Sequence, residues 1–592
     1  MRMSTDHGAA RERAPINHYR TVAGTRAFAD GSVETGIAAD ISAIGGDSAR
    51  ITARATPAGG VDALWLSRAV HNPIIEDTRS PIAVFDHDDG GRWVEPVDPS
   101  ADGGPVFDPS NSLPDARLVA LLPAVSPASL GGGRFIAVHG CRFPYVVGEM
   151  ARGITTAEMV IAAGRAGLLG FFGSAGLRPP VIAEAIDRIR SELPAGTPWG
   201  MNLIHMPDHP QREKEVTDLL LREKVERVSA SAFMQLSPNI VRLSASGLSV
   251  SDDGRIRRRT HVFAKISRPE TAEKFMVPPP QRMLRDLVAA GLITETQAEL
   301  QCRLPVAEDV TVEADSGGHT DNRSLRVVFA AIGKLRHAIA DRYGYTRPIR
   351  LGAAGGLGTP LAIAAAFHLG ADYVVTGSIN QAAVESGLSH GGRKMLAACG
   401  IADVAMAPAA DMFERGVKVQ VLKKGTMFPM RAQRLYDLYR RHDGLHDLPQ
   451  KDRDWLEVDV LDDDCEAAWR ETRSYYETSN PALAAKADVD PKQQMALVFR
   501  RYLFMGAKWA RDGHDARRND YQIWCGPAMG AFNDWVRGSY LEPLENRTVG
   551  QIAANLMEGA CVAGRAQHLR ALGVDIPEGL FHFTPRLLQA GQ

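Results

Sequence analysis

The stretch RPIRLGAAGGLGTPLAIAAAFHLG, residues 347–370, contains an apolar run, a glycine-rich turn and an alanine-rich segment in that order. This order predicts a buried strand, a tight turn and a helix. Glycines let the backbone turn sharply and approach a bound group, while the start of a helix presents free N–H groups. The turn by itself fits either an anion site or a plain turn without a ligand. The spacing of Gly352 and Gly355 differs from the GxGxxG of dinucleotide-binding folds.

The unit that follows repeats this pattern. Residues 371–387, ADYVVTGSINQAAVESG, contain a second strand-like run, then Gly377 and Ser378, then the start of a helix. Upstream, from about residue 135, short apolar runs alternate with amphipathic stretches, which is typical of repeated βα units and a parallel sheet. The candidate strands are 145–150, 167–172, 199–204, 227–229, 262–266, 310–313, 349–352 and 373–376.

Eight strands in succession favour an α/β fold with a closed TIM (β/α)8 barrel. An open, doubly wound sheet stays possible, because the run at 227–229 is short. Two adjacent glycine loops at the end of such a series occupy the position where many TIM barrels bind phosphate. We therefore predict a phosphate site made by Gly355, Gly356, Gly377 and Ser378.

We expect three domains, with the barrel over residues 135–387. Residues 1–134 are rich in Gly, Pro, Asp and Ser, which together with short strand-like runs predicts a small strand-containing N-terminal domain. Those runs are 81–85 and 117–122. Beyond about residue 387 the strand signals fade, and we expect a helical insertion and a C-terminal helical region over 388–592. Helical periodicity is seen at 430–441, 491–512 and 549–572.

Composition narrows the function classes. The formal net charge of −2 gives no electrostatic case for binding nucleic acid or an anionic membrane. The first residues lack the apolar stretch of a secretory signal, and the six cysteines show no metal-ligand or redox spacing, so we expect a cytoplasmic protein with no structural metal. The densest basic cluster, GRIRRRTHVF at 254–263, predicts either a solvated loop or a docking point for an acidic carrier protein.

A third glycine loop follows the sixth candidate strand. VTVEADSGGHTDN, residues 310–322, places Gly317, Gly318 and His319 just beyond a strand end, on the face where TIM barrels carry their active sites. Small residues leave space beside a flat ligand, and His319 is then a candidate catalytic residue. A structural histidine explains the pattern equally well.

Several long strings resemble the PfaD-type trans-acting enoyl reductases, whose barrel is similar to that of nitronate monooxygenases. The strings include GITTAEMVIAAGRAGLLGFFGSAGL, WGMNLIHMP, VFAKISRPETAEKF, PVAEDVTVEADSGGHTDNR, GAAGGLGTP and DYQIWCGPAMGAFNDWVRGSYLEPLENR. The similarity covers about residues 138–572. It implies FMN as cofactor, NADPH or NADH as hydride donor, and acyl carrier protein domains of a polyketide or polyunsaturated fatty acid synthase as partners. A homodimer is possible, and the helical part resembles an insertion of malonyl-transferase proteins.

The resemblance also implies roles for individual residues. Met150 and Ala151 match a segment beside the flavin, and Asn202 matches the polar residue of strand three. The loop of Gly317, Gly318 and His319 matches the substrate face, and the glycine loops predicted above match the phosphate loops.

Two polar residues at strand ends suit a flavin on chemical grounds as well. Asn202 could donate a hydrogen bond to the flavin ring or to a ribityl oxygen, and the cation of Lys265 could stabilise a negatively charged reduced flavin. Ordinary polar residues at strand ends would look the same.

The function that follows is the reduction of trans-2-enoyl thioesters, with His319 either donating to the developing enolate oxygen or supplying the proton to the α-carbon. A nitronate monooxygenase and a non-catalytic protein that docks on a synthase are the alternatives. No GxxxxGK[ST] or HExxH motif is present to indicate other catalytic chemistry.

Overall fold

The structure is a computed structural model that describes residues 73–86, 92–97, 117–207 and 209–589, and the backbone of two further strands. Those strands, Arg20–Ala27 and Val33–Asp40, pair with each other in antiparallel register. The described residues fall into two compact units. The small unit lies within Met1–Val125 and Arg565–Leu580, and the large unit within Ser126–Gly564 and Phe581–Gln592.

The small unit contains a three-stranded antiparallel sheet. Its central strand, Ile82–Asp86, pairs with Arg92–Pro96 on one side and Arg117–Leu122 on the other. Ala83 and Phe85 point to the same side of this strand and are buried together. The predicted strand-containing N-terminal region is thereby confirmed in its described part.

Eight parallel strands in the large unit close into a barrel, which confirms the predicted TIM barrel and excludes the open sheet. We number them β1 to β8 in chain order: Tyr145–Val147, Leu169–Phe172, Trp199–Ile204, Arg227–Ser231, His261–Ile266, Asp309–Glu313, Arg350–Ala354 and Tyr373–Thr376. The barrel closes where β8 pairs with β1. The weakest sequence signal, β4, is a fully buried strand of five residues that pairs with both of its neighbours.

Helices surround the barrel and bury the outer faces of its strands. Those that follow the strands include Ala157–Arg165, Pro179–Glu192, Pro210–Arg222, Pro238–Ala245, Pro269–Met276, Leu325–Tyr343 and Pro360–His368. Five of these begin with proline, whose fixed φ suits the first helical turn. Proline lacks an N–H, but at this position an N–H would make no hydrogen bond within the helix.

The amino-terminal end of the barrel is filled by aromatic rings and a buried charge cluster. The short helix Arg134–His139 places Phe135 against Tyr373, with ring centroids 4.5 Å apart. Asp309 accepts hydrogen bonds from Arg350 Nε at 2.6 Å and Nη2 at 2.7 Å, and all of these side chains are buried. This end of the barrel is therefore closed.

The basic cluster 254–263 belongs to the same closed end, because it forms the approach to the first residue of β5. Arg258, in its middle, is buried and pairs with Glu308 at 3.1 Å. The expectation of a solvated loop is therefore wrong for Arg258. A carrier protein docked on this cluster would sit at the opposite end of the barrel from the loops that follow the strands.

The C-terminal part is helical, as predicted, but it also contains strands that the sequence did not predict. Its main helices are Phe428–Arg441, Cys465–Ser479, Pro481–Val489, Pro491–Asp512, Ala528–Val536 and Val549–Ala571. The strands Val404–Pro408 and Lys418–Leu422 pair with each other, and the second also pairs with Gly318–His319. Each strand is too short for its periodicity to stand out beside long helices. Among the described residues, no helix combines the length and the apolar character needed to span a membrane.

Candidate active site

The predicted site residues lie together at one end of the barrel. All eight strands are parallel, so the loops that follow them share the carboxyl-terminal end, which we call the mouth. Met150, Ala151, Asn202, Lys265, Gly317, Gly318, His319, Gly355, Gly356, Gly377 and Ser378 belong to β1, β3, β5, β6, β7 and β8 or to the loops after them. Their roles in binding a cofactor and in catalysis are predictions.

The glycine loops after β7 and β8 form a cradle of bare backbone. Gly356 has φ +74°, in the left-handed region that favours glycine, and a Cβ atom there would have no protein atom within 4 Å. A Cβ atom on Gly377 would likewise have no protein atom within 4 Å. Gly355 differs, because a Cβ there would lie 2.8 Å from the carbonyl carbon of Ala314. Gly356 and Gly377 thus leave open space beside the backbone, whereas Gly355 is needed for packing against the loop after β6.

A helix begins directly after the first of these loops. This helix is Pro360–His368, and Thr359 is the residue just before it. The side chain of Thr359 caps the helix by accepting a hydrogen bond from the N–H of Ala362 at 3.3 Å. The partial positive charge at such a helix start favours phosphate. Bare backbone followed by a helix N-terminus is the arrangement that the phosphate prediction requires.

Residues 524–528, which we call the return segment, cross the mouth after the chain has passed through the helical part. The N–H of Gly526 donates to Ser378 Oγ at 3.1 Å, and Gln381 donates its side-chain amide to the carbonyl of Trp524. A Cβ on Gly317 would lie 2.8 Å from the backbone nitrogen of Cys525. The return segment therefore contacts the loops after both β6 and β8. Sequence reasoning missed it, although its Gly-Pro pair is a turn signal.

Gln381 carries a further mark of a binding site. Its Oε1 atom is buried and has no hydrogen-bond partner among the described residues. A buried acceptor without a partner costs about 1–3 kcal/mol, so it is normally satisfied by a ligand or by water. Gln381 follows the glycine loop after β8, beside the cradle.

Lys265 is held between two carboxylates at the mouth. Its Nζ lies 3.2 Å from Glu149 Oε1 and 3.4 Å from Glu313 Oε1. Burial opposes the charge on Lys265, but the two carboxylates outweigh it and raise the pKa of this amine above its ordinary value. The sequence did not indicate either carboxylate, because the pairs join strands that are distant along the chain.

Asn202 is tied into the same network. Its side-chain amide donates to the carbonyl of Ser229 at 3.0 Å and to Ser231 Oγ at 2.9 Å. Ser231 in turn donates to Glu149 Oε1 at 2.7 Å. Both amide hydrogens of Asn202 are engaged in this way, so a hydrogen bond from Asn202 to a flavin would require one of them to be exchanged.

The loop after β6 is fastened by Gln420, a buried residue of the strand Lys418–Leu422. Its side-chain amide donates to Asp315 Oδ1 and to the carbonyl of Ser316, both at 2.8 Å. Gly318, with φ +81°, then turns the chain so that His319 follows in a short paired strand. The strands that the sequence did not predict thus determine where His319 lies.

His319 pairs with a carboxylate from the loop that joins the strands Val404–Pro408 and Lys418–Leu422. Its Nε2 lies 3.3 Å from Asp411 Oδ1. Burial opposes the charge on His319 and Lys265 acts against it, but Asp411, together with Glu313, raises the pKa of this imidazole above the ordinary histidine value. A raised pKa favours the protonated imidazole, the form that can donate a proton. Since Asp411 holds Nε2, the nitrogen left for a ligand is Nδ1.

The family model for nitronate monooxygenase matches residues 134–437, just over half of the chain and the whole of the barrel. This chain belongs to the nitronate monooxygenase family. A second family model, for the inserted helical domain of [acyl-carrier-protein] S-malonyltransferase, matches residues 442–521, where the sequence predicted an insertion of that kind.

Relatives of this nitronate monooxygenase-family protein confirm the predicted resemblance. A polyunsaturated fatty acid synthase subunit of Thraustochytrium sp. is 45% identical over 474 residues, which cover 78% of this chain and 32% of that protein. The polyketide biosynthesis protein PksE of Bacillus subtilis is 43% identical over 438 residues, which cover 74% of this chain and 57% of PksE. The chain thus spans only part of the length of these relatives.

This nitronate monooxygenase-family protein is also similar to a protein of known crystal structure. The enoyl reductase domain of MlnA, from the macrolactin biosynthesis cluster of Bacillus amyloliquefaciens, is 39% identical and superposes with a TM-score of 0.71. The match covers 75% of this chain and 99% of that domain. Family and neighbour together support oxidoreductase chemistry.

Proposed function

We propose that this protein is an FMN-dependent enoyl reductase, which uses NADPH or NADH to reduce trans-2-enoyl thioesters on acyl carrier protein domains of a polyketide or polyunsaturated fatty acid synthase. The observation that carries the proposal is the mouth, where a backbone cradle, a retained cation and a histidine–carboxylate pair lie within one set of loops. The likeness to the enoyl reductase domain of MlnA supports the same chemistry.

The mouth fits FMN by its own features. Gly356, Gly377 and Ser378 would hold the phosphate, because a Cβ at either glycine would fill open space and the buried Oε1 of Gln381 beside them lacks a partner in the described part of the chain. Met150 and Lys265 would face the ring system. When bound, FMN supplies the hydride transfer from the nicotinamide donor to the β-carbon of the enoyl thioester.

Side chains of the protein would stabilise the charge that develops on the substrate and supply the proton that the reaction needs. As the β-carbon is reduced, negative charge develops on the thioester oxygen and a proton must reach the α-carbon. His319 would meet either need with a proton held at Nδ1, because Asp411 occupies Nε2 and favours the protonated imidazole. Lys265 stays cationic because Glu149 and Glu313 flank it, and a bound cofactor would meet this cation together with the two carboxylates.

Anaerobic spectroscopy tests this function. The purified protein should be yellow, and heat should release a cofactor that chromatography identifies as FMN. NADPH or NADH should bleach the flavin band without oxygen, and a trans-2-enoyl thioester should restore it, whereas the matched saturated acyl thioester should not.

Other outcomes would identify the alternatives. A flavin that nicotinamide donors leave oxidised, but that a nitronate reduces, would indicate a nitronate monooxygenase. A colourless protein that still binds carrier protein and takes up no added FMN would indicate a non-catalytic docking protein.

A further inference from the structure

Arg152 follows β1 directly after the predicted flavin neighbours Met150 and Ala151. Its φ is +61°, in the left-handed region that residues other than glycine adopt at a cost. Such a backbone persists only where its surroundings impose it. The chain therefore holds this arginine at the edge of the mouth in one defined direction.

The guanidinium of Arg152 lies near two aromatic rings. Its Cζ is 4.0 Å from the ring centroid of Phe504, in the helix Pro491–Asp512, and 5.5 Å from that of Trp524 in the return segment. The indole of Trp524 also approaches to 3.9 Å from where a Cβ on Gly318 would lie. Trp524 thus lies close both to Arg152 and to the loop of His319.

Within the described part of the chain, this cation has no direct carboxylate partner. No Asp or Glu oxygen there lies within 4.0 Å of it, and Asp411 acts on its charge only from a greater distance. Its side-chain hydrogen bond runs from Nη1 to the carbonyl of Phe504 at 3.2 Å. Arg268, another arginine of the mouth, differs in that its Nη2 pairs with Asp321 at 2.8 Å. Nε and Nη2 of Arg152 are therefore available to a ligand.

The residues around Arg152 favour the binding of an anion beside its guanidinium. Burial, followed by the nearby charge of Arg511, lowers the pKa of Arg152 to about 10, which still leaves it charged at neutral pH. Arg511 also donates from Nη1 to the backbone carbonyl of Arg152 at 3.3 Å. A partly buried cation with a second cation beside it is stabilised by any anion that enters.

We propose that Arg152 binds a phosphate group of the incoming ligand, either of the nicotinamide dinucleotide or of the phosphopantetheine arm that carries the acyl chain. Guanidinium binds phosphate through two parallel hydrogen bonds, and the rings of Phe504 and Trp524 fix its plane in advance. This assignment rests on the proposed function, because that function brings phosphate-bearing ligands to the mouth.

Calorimetric titration separates the two sources without relying on turnover. The holoprotein is titrated with NADP⁺ and, separately, with coenzyme A, as wild type and as Arg152→Gln and Arg152→Lys. Loss of a bidentate, charge-assisted contact should weaken one of the two probes by about 10- to 100-fold in Arg152→Gln, and by less in Arg152→Lys. A change for NADP⁺ assigns the contact to the donor, and a change for coenzyme A assigns it to the arm.

Two controls guard against a merely structural role. Arg178→Gln removes an exposed arginine that follows β2 at the same end of the barrel and should leave both affinities unchanged. An enoyl thioester of N-acetylcysteamine, which has no phosphate, should reoxidise reduced Arg152→Gln at the wild-type rate.

Unchanged affinity for both probes in Arg152→Gln would overturn the inference, as would wild-type protein that binds neither probe. Failure of the proposed function alone would look different. The probes would then bind through Arg152, but no nicotinamide donor would reduce the flavin.

Discussion

Replacing Gly377 with alanine tests the phosphate cradle with little disturbance of the protein itself. Its φ of −125° lies outside the left-handed region that favours glycine, and a Cβ there meets no protein atom within 4 Å. The folding stability of the flavin-free protein should therefore change by less than about 0.5 kcal/mol, as for surface substitutions. The new methyl group would nevertheless occupy the space assigned to the phosphate of FMN.

The size of the binding defect follows from the contacts at stake. Displacing the phosphate removes one or two hydrogen bonds to a charged group, each worth about 1.5–3 kcal/mol. One such bond corresponds to a rise in Kd of roughly 10- to 150-fold. At an FMN concentration 100 times the wild-type Kd, the ligand stabilises the wild type by about 2.7 kcal/mol, but a variant with 100-fold weaker binding by only about 0.4 kcal/mol.

Thermal melting with and without FMN measures this directly. Gly377→Ala should melt like wild type without FMN and well below it with FMN. Gly579→Ala is the matched control, since a Cβ there also meets no atom within 4 Å, and it should follow wild type in both conditions. Gly356→Ala should lose FMN affinity too, with a further backbone cost of about 1–2 kcal/mol from its positive φ. Wild-type FMN affinity in Gly377→Ala would show that the phosphate lies elsewhere.

Three further substitutions test the charged groups of the mouth. His319→Ala should retain FMN and its reduction by NADPH, while reoxidation by an enoyl thioester slows by roughly 10²–10⁴-fold in stopped-flow measurements; equal slowing of both half-reactions would mark a structural histidine. Asp411→Asn removes the main group that raises the pKa of His319, while Glu313 and Lys265 still face it. The pH above which enoyl-dependent reoxidation declines should therefore move to a lower value, and an unchanged pH profile would contradict the pairing. Lys265→Met leaves the carboxylates of Glu149 and Glu313 without their cation, so the free energy of unfolding in urea should fall by about 3–5 kcal/mol at pH 7. The pKa of Glu149 is held low in the folded protein despite its burial, so the stability it contributes is present at neutral pH and lost in acid; the deficit of the variant should accordingly shrink as the pH falls. The exposed Lys508→Met serves as control and should cost less than about 0.5 kcal/mol.

The barrel could be predicted because its signals are local. Each strand is a short apolar run followed by a turn and an amphipathic helix, so the period of the sequence reveals it. Even β4, seen as only three residues, extends to Ser231 because its neighbours on both sides supply hydrogen-bond partners. Parallel strands then bring the residues that follow them to one end, which located the glycine loops and His319.

The partners of those residues could not be predicted, because they come from distant parts of the chain. Asp411 and Gln420 lie about 100 residues beyond the loop that they hold. Gln420 is on a strand too short to show a period, and Asp411 is in the loop before it. Glu313 ends β6 and Glu149 lies two residues beyond β1, where a carboxylate is unremarkable until the closed barrel places Lys265 between them. Arg152 had no sequence signal, since what sets it apart is the lack of a direct carboxylate partner among the described residues.

The hydrogen bond between Ser378 Oγ and the N–H of Gly526 joins two parts of the chain that are synthesised at different times. These residues are 148 positions apart, and β8, which precedes Ser378, is the last strand of the barrel. At about 5–20 residues per second, a ribosome needs roughly 7–30 s to add the intervening chain. For that interval a nascent chain has all eight strands but no return segment across the mouth. A flavin that arrives then meets the cradle before Trp524 and its neighbours have been made.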